Sequence, residues 1–156
     1  MTTRQKTRWL DAEEQKAWRA YLESTLMLFN QLEHELQVEA GVPHGYYEIL
    51  VRLSEAPNRT LRMSELAENS LSSRSRVSHA VARLEELGWI KRQSCATDGR
   101  GTQAVLTAKG FSVLENAAPI HVEGVRTHLF DQLSPAQVKQ MRSIGESVLQ
   151  HLKEQD

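Results

Sequence analysis

Apolar residues recur every three or four positions along most of this chain, and the rhythm gives way to short extended runs only near the middle. The first periodic stretch opens at Asp11. There Asp-x-x-Glu (Asp11, Glu14) spells a capping box, in which the carboxylate accepts from orphan backbone N–H groups and Glu14 reaches back. The stretch runs without Gly or Pro to Ala40, and Gly41 and Pro43 end it. Trp18, Leu22, Phe29, Leu32 and Leu36, with Thr25 completing a 4-3-4-3-4 spacing, form a heptad-like seam. Leu26, Met27 and Leu28 widen it, so the middle of the helix is expected to be buried nearly all round. At 1.5 Å per residue such a helix is about 43 Å long. That is more than a domain of this size needs for its own core, and a partner chain is the natural cover.

The pattern then shortens. A second helix is predicted over about Gly45 to Glu55, with Tyr46, Ile49, Leu50 and Leu53 facing inward, and Ala56-Pro57-Asn58 breaks it. Leu61-Arg62-Met63 reads as a short strand. Ser64 reads as the cap of a short helix with Leu66 and Ala67 inside, and Ser70-Leu71-Ser72 as a turn. A fourth helix follows from about Ser73 to Leu87 and stops at Gly88. Trp89 to Arg92 and Thr102 to Leu106 read as paired strands around a tight loop from Cys95 to Gly101. A fifth helix is predicted from Ala108 to about Phe130, opened by Thr107. Phe111, Leu114, Ala118, His121, Val125 and His128 are its seam, and Pro119 is expected to kink it rather than split it. Ser134, Pro135 and Gln137 then start a last helix bearing Val138, Met141, Ile144, Val148, Leu149 and Leu152. The fold class is therefore mainly α with a small β-wing. Residues 1–44 and 107–156 supply long association helices around a central lobe at 45–106, within one domain.

Composition narrows this further. The chain has 156 residues, 40% apolar and 25% charged, which suits one globular domain. The net charge of −1 excludes a uniformly basic nucleic-acid coat protein and an acidic disordered tail. The charge is uneven, however. Nine basic and five acidic residues between Arg59 and Lys109 make that block +4 and leave −5 elsewhere, the footprint of one polyanion-binding module on a scaffold. The single cysteine, Cys95, excludes an intrachain disulfide framework and a cysteine-rich zinc module. No apolar run approaches the length of a membrane span, and the N-terminal residues lack the apolar stretch of a secretory signal. A soluble, cytoplasmic protein is expected.

The order strand, helix, turn, helix, strand, loop, strand is that of a winged helix-turn-helix. On the second of its helices Val77, Val81, Leu84 and Leu87 form the inward stripe, with Ala80 beside it. Arg74, Ser75, Arg76, Ser78, His79 and Arg83 lie outward, and Glu85 and Glu86 come only at the far end. A helix entering the major groove N-terminus first needs this arrangement. Free N–H groups and the positive dipole end meet phosphate, and an arginine can fork onto guanine. Asp98-Gly99-Arg100-Gly101 reads as a tight turn presenting one cation to a narrow minor groove, with Asp98 steadying Arg100. Lys91 and Arg92 at the wing base suit phosphates.

The residues MSELAENSLSSRSRVSHAVARLEELGWIKRQ, followed by DGRGTQAVLTAKG, resemble the multiple-antibiotic-resistance regulator (MarR) family of bacterial transcription factors. Asp98, Arg100, Leu106, Thr107, Lys109 and Gly110 match the family's wing pattern, while Ala104 stands where a larger aliphatic residue is usual. The resemblance spans nearly the whole chain. It implies a homodimer on a pseudo-palindromic double-stranded operator, with recognition helices one DNA turn, roughly 34 Å, apart. It places Ser72, Ser73, Arg74, Ser75, Arg76, Ser78 and His79 against bases and phosphates, Arg83 nearer the backbone, and Asp98 and Arg100 at the wing tip. It further implies repression, relieved by a small phenolic or other anionic compound, with no cofactor.

Other residues suggest further chemistry. Trp18, His44 and Tyr47, with Tyr46, are candidates to line a pocket for a planar aromatic acid where the first two helices meet. Ordinary packing is the competing account. His121 and His128 are seven apart, a weak metal signal even with His34 or His151, and interface hydrogen bonding explains them more simply. Oxidation of Cys95 at the wing base is a remoter option, and Trp89 is expected to pack under the wing rather than stack on a base. No phosphate loop, nucleophile elbow, metal-ligand cluster or acid/base pair points to an enzyme. The other alternative is a winged-helix protein that works through protein contacts or redox or metal sensing.

Overall fold

The structure, a computed structural model, describes residues 7–68, 73–95 and 101–155. Helix α1 spans Ala12–Glu35. It begins as its capping box dictates: Asp11 Oδ1 accepts from the backbone N–H of Glu13 and Glu14 at 2.8 Å each, and Glu14 Oε2 accepts from Asp11 N at 2.8 Å. The expected α-helix to Ala40 is not continuous. Leu36–Ala40 widens into a π-helical turn that closes on Gly41 in the left-handed region (φ +67°). The wider turn accompanies burial of both Leu36 and Val42 in the core.

Helix α2 (His44–Glu55) starts one residue earlier than the pattern suggested, with Pro43 at its cap. Its buried residues are Tyr47, Ile49, Leu50 and Leu53. Tyr46, expected inward, is only half-buried, because the helix turns its neighbour Tyr47 toward the core. A tight turn at Pro57–Arg59 follows, with Asn58 and Arg59 at φ +53°. Strand β1 is Thr60–Arg62, one residue earlier than expected. Helix α3, Met63–Glu68, therefore takes Ser64 inside rather than as its cap, and Glu65 Oε2 accepts from Arg62 N at 3.0 Å instead. Leu66 is buried and Ala67 half-buried. The expected turn at Ser70-Leu71-Ser72 lies outside the described residues.

Helix α4 (Arg74–Glu86) is capped by Ser73 and buries Val77, Val81 and Leu84. Leu87, also expected inside, is half-buried at the C-cap, and Gly88 turns the chain at φ +76°. Strand β2 (Ile90–Ser94) and β3 (Thr102–Leu106) are antiparallel, and β1 pairs on the other side of β3. Ala104 in the central strand faces Leu61 and Arg92 in register and is fully buried.

Helix α5 (Ala108–His128) passes through Pro119 as one helix, and a tight turn at Phe130–Gln132 follows it. Its deepest positions within the chain are Gly110, Leu114, Ala117 and Gly124, and of the 3-4 association seam only Leu114 is fully buried there. The small residues explain this. Any side chain at Gly124 would run into Glu35 and Leu32 of α1, so the two helices cross closely there. Helix α6 (Pro135–Lys153) has the expected Ser134–Gln137 capping box and buries nothing.

The core gathers Leu36 and Val42 with Leu50, Leu53, Leu66, Val77, Val81, Leu84, Ile90, Leu106 and Leu114. It lies beneath α4 and the sheet. Trp18, Leu22, Leu26, Met27 and Phe29 of α1 and Met141, Ile144, Val148, Leu149 and Leu152 of α6 are exposed. The all-round burial expected for mid-α1 is thus absent within one chain.

Candidate nucleic-acid interface

Helix α4 presents its outward face as its period demands. With Val77, Val81 and Leu84 fixed in the core, Ser73, Arg74, Ser75, Arg76, Ser78, His79 and Arg83 are all exposed. At the N-terminus Ser73 Oγ accepts from Arg76 N at 3.4 Å, a long cap, and the other first-turn N–H groups have no acceptor among the described residues.

The cations on this surface differ in how they are held. The side chains of Arg76 and Lys91 have no hydrogen-bond or ion-pair partner among the described residues. Arg74 lies 3.7 Å from Glu68 on α3. Arg83 Nη1 is 2.6 Å from Glu86 Oε2 one turn on, which holds its guanidinium above the ordinary arginine range. Arg92 is bound to Glu85 across the turn between α4 and β2. Its side chain and backbone N–H together hold the Glu85 carboxyl below the usual carboxylate range. The sequence suggested Arg92 for phosphate but not this partner, since nothing local signals a pair seven residues apart across a glycine. Ser72, Asp98 and Arg100 lie outside the described residues.

The far end of α4 is fixed by the Leu-Thr-x-Lys-Gly segment. Thr107 Oγ1 donates within 2.7 Å of Gly88 O and 3.0 Å of Trp89 O, and Lys109 Nζ donates to Leu87 O at 2.9 Å. Thr107 Oγ1 also accepts from Gly110 N at 3.0 Å. Gly110 allows the approach, because a Cβ there would overlap the Trp89 carbonyl. This motif ties the C-terminus of the recognition helix to the first turn of α5, and Lys109 serves as a cap rather than as part of the basic surface. Trp89 packs against the core, and Cys95 is buried at the wing base, its N–H donating to Gly101 O at 2.8 Å.

Above the lobe, His44, Tyr47 and His121 come together. Ring centroids are 5.3 Å apart for His44 and His121 and 4.6 Å for Tyr47 and His121, and Phe29 meets His44 edge-on at 5.7 Å. They border a cleft of about 370 Å³ that also includes Arg52 and Glu55. His121 Nδ1 is buried without a hydrogen-bond partner among the described residues. Burial pushes its imidazole below the ordinary range, and His44 adds to this. Burial likewise pushes the Tyr47 phenol up, with Glu55 adding. Trp18, grouped with His44 and Tyr47 on sequence grounds, is elsewhere, exposed beside Tyr21. The sequence did not point to His121 for this cleft, although it lies on a helical seam. His128 instead pairs with Glu35 at 2.6 Å, and no group of three or more metal-ligating side chains forms among the described residues.

A solvent-facing helix carrying exposed arginines and serines, followed by a β-hairpin and braced from behind by α5, defines a DNA-binding protein of the winged helix-turn-helix class. A sequence model described as the MarR family matches residues 40–101. Among solved structures, Sco3205, a MarR family transcriptional regulator from Streptomyces coelicolor in complex with DNA, is 49% identical. The match covers 94% of this chain and 92% of that one, with a TM-score of 0.89. AbsC, a MarR family transcriptional regulator from the same organism, is 40% identical over 95% of this chain and 99% of its own, also with a TM-score of 0.89. A mutant MarR from E. coli complexed with operator DNA shares the fold at 18% identity, covering 90% of this chain and 99% of its own, with a TM-score of 0.76. No curated protein matches. The chain belongs to the MarR family of transcriptional regulators. Its members are regulators rather than enzymes. No helix among the described residues is long and apolar enough to cross a membrane.

Proposed function

We propose that this protein is a homodimeric repressor that binds a pseudo-palindromic duplex operator and releases it when a small aromatic or anionic effector binds. The observation that carries the reading is the exposed N-terminal half of α4, where the Arg76 side chain, without an ion-pair partner among the described residues, stands amid Ser73, Ser75, Ser78 and His79. An unengaged guanidinium beside open helix N–H groups is ready to fork onto a guanine edge without first breaking an ion pair. Arg74, Arg83, Lys91 and Arg92 flank it as phosphate contacts, and Ser72, Asp98 and Arg100 belong to the same surface on the family resemblance.

Dimerisation is supported by the exposed apolar stripes of α1 and α6. Large contiguous apolar surface is unfavourable on a free monomer, and a second copy brings the same stripes to cover it. Residues 1–44 and 107–156 are then the dimerising part and 45–106 the DNA-binding lobe. The effector's place is the cleft of His44, Tyr47 and His121, where His121 Nδ1, without a partner among the described residues, offers a polar anchor among aromatic faces.

Sequencing the DNA fragments selected by the purified protein tests the reading. A recurrent palindrome with half-sites about one helical turn apart is the expected result, and selection of no sequence above background overturns it.

A further inference from the structure

The recognition surface carries two kinds of arginine. The Arg76 guanidinium has no partner among the described residues, whereas Arg83 and Arg92 are each held by a carboxylate near the end of α4. Glu86 Oε2 lies 2.6 Å from Arg83 Nη1. Glu85 uses both oxygens: Oε2 takes Nε and Nη2 of Arg92 at 2.8 and 2.7 Å, and Oε1 accepts from the Arg92 backbone N–H at 3.0 Å. Both pairs are open to solvent. Such pairs are held weakly, so exchanging the carboxylate for another anion is nearly balanced.

We propose that Glu85 and Glu86 are specificity-determining residues, which neutralise Arg92 and Arg83 except where a phosphate is placed well enough to displace the carboxylate. This rests on the duplex-binding reading above. An Arg–Glu pair brings no net charge to a polyanion, so at an arbitrary site it releases no counterion. If a phosphate takes the arginine there, a bare carboxylate is left facing the backbone. At the operator, base contacts by Arg76 fix the register and hold the phosphates where Arg83 and Arg92 can reach them. The two carboxylates thus weaken binding to arbitrary sequence more than binding to the operator. That ratio decides occupancy in a genome full of competing sites.

The test compares the full-length wild type with Glu86→Gln, Glu85→Gln and Glu13→Gln. Each is titrated across a salt series with a selected operator duplex and with a shuffled duplex of equal length and composition. Glu13 is the control, because it loses an equally formal charge and an exposed pair with Lys16 (2.7 Å) at the far-off start of α1. Glu86→Gln and Glu85→Gln are expected to tighten binding to the shuffled duplex several-fold and to the operator less. Each should steepen its salt slope on the shuffled duplex by about 0.9 for the one liberated arginine, while Glu13→Gln shifts neither. Glu86 and Arg83 share one helix, so Glu86→Gln tests the idea independently of any role of Glu85 in seating β2. Equal shifts in all three variants would reduce the effect to net charge and overturn the proposal, as would unchanged slopes in both Glu86→Gln and Glu85→Gln. A wild type that binds neither duplex at low salt instead overturns the duplex-binding reading, and this inference falls with it.

Discussion

Leu84 of α4 and Leu149 of α6 occupy similar amphipathic helices, yet Leu84 is completely buried and Leu149 is 56% exposed. The same contrast separates the two regions around them. In the lobe, the apolar stripes of α2, α3 and α4 meet the sheet and close over one another within a single chain. In α6 and most of α1 they stay exposed, with Leu32 of α1 the exception, buried where that helix crosses α5. An amphipathic pattern therefore states that a face must be covered, not what covers it. The lobe closes its core with help from Leu36, Val42 and Leu114, and the exposed stripes of the long helices are what the proposed dimer would cover.

The largest effect that sharpens this contrast is expected in the lobe. Leu84→Ala should cost about 2–5 kcal/mol of unfolding free energy by urea denaturation, from lost burial plus a cavity. Leu149→Ala should barely change the stability of dilute protein, and an equal loss at both positions would break the distinction. Ile144→Asp puts a charge on the α6 stripe. It should shift the protein from dimer to monomer in sedimentation, with the lobe still folded by circular dichroism, and a variant that stays dimeric would remove α6 from the interface.

Smaller effects probe the surfaces. Arg76→Ala should weaken operator binding by about 1–3 kcal/mol and relax preference at one base pair. Lys91→Ala should weaken all duplexes alike and flatten the salt slope by about 0.9, so the reverse pattern would exchange their roles. The smallest expected effect is at His121. Its imidazole is harder to protonate in the folded chain than in the unfolded one, so the unfolded state takes up more protons in acid. Stability should fall as pH drops below the ordinary imidazole pKa of about 6.5, levelling off below the depressed native value. His121→Phe should flatten the part of the urea-midpoint profile that lies below the ordinary imidazole pKa of about 6.5. An unchanged profile would take His121 out of the acid response.

Much of the architecture was legible because its signals are local. Asp11 with Glu14 and Ser134 with Gln137 each close a cap within one turn, so sequence spacing alone specifies the bonds. The inward stripe of α4 likewise follows from helical period once the helix is granted. Where elements cross, local reading failed in specific ways. Tyr46 and Tyr47 are adjacent and equally apolar, and only the seating of α2 on the core decides that Tyr47 goes in. Trp18 was grouped with His44 for its chemistry, but α1 aims Phe29 at that histidine instead. Thr107, Lys109 and Gly110 stood out as part of a wing pattern, and only the packing of α5 behind α4 shows them to be a clamp on the recognition helix.

Caps, helical periods, turn glycines and the concentration of positive charge in the central block act over a few residues, so the order of residues sufficed to establish them, and with them the class of fold. Which arginines are free and which are held, where the aromatic cleft forms, and which apolar stripes stay uncovered depend on the crossing of distant segments. Glu85 meets Arg92 only because the chain reverses at Gly88, and His121 meets His44 only because α5 lies across α2. Those contacts follow from core packing, whose energy is shared among many residues, and no short stretch of sequence encodes it.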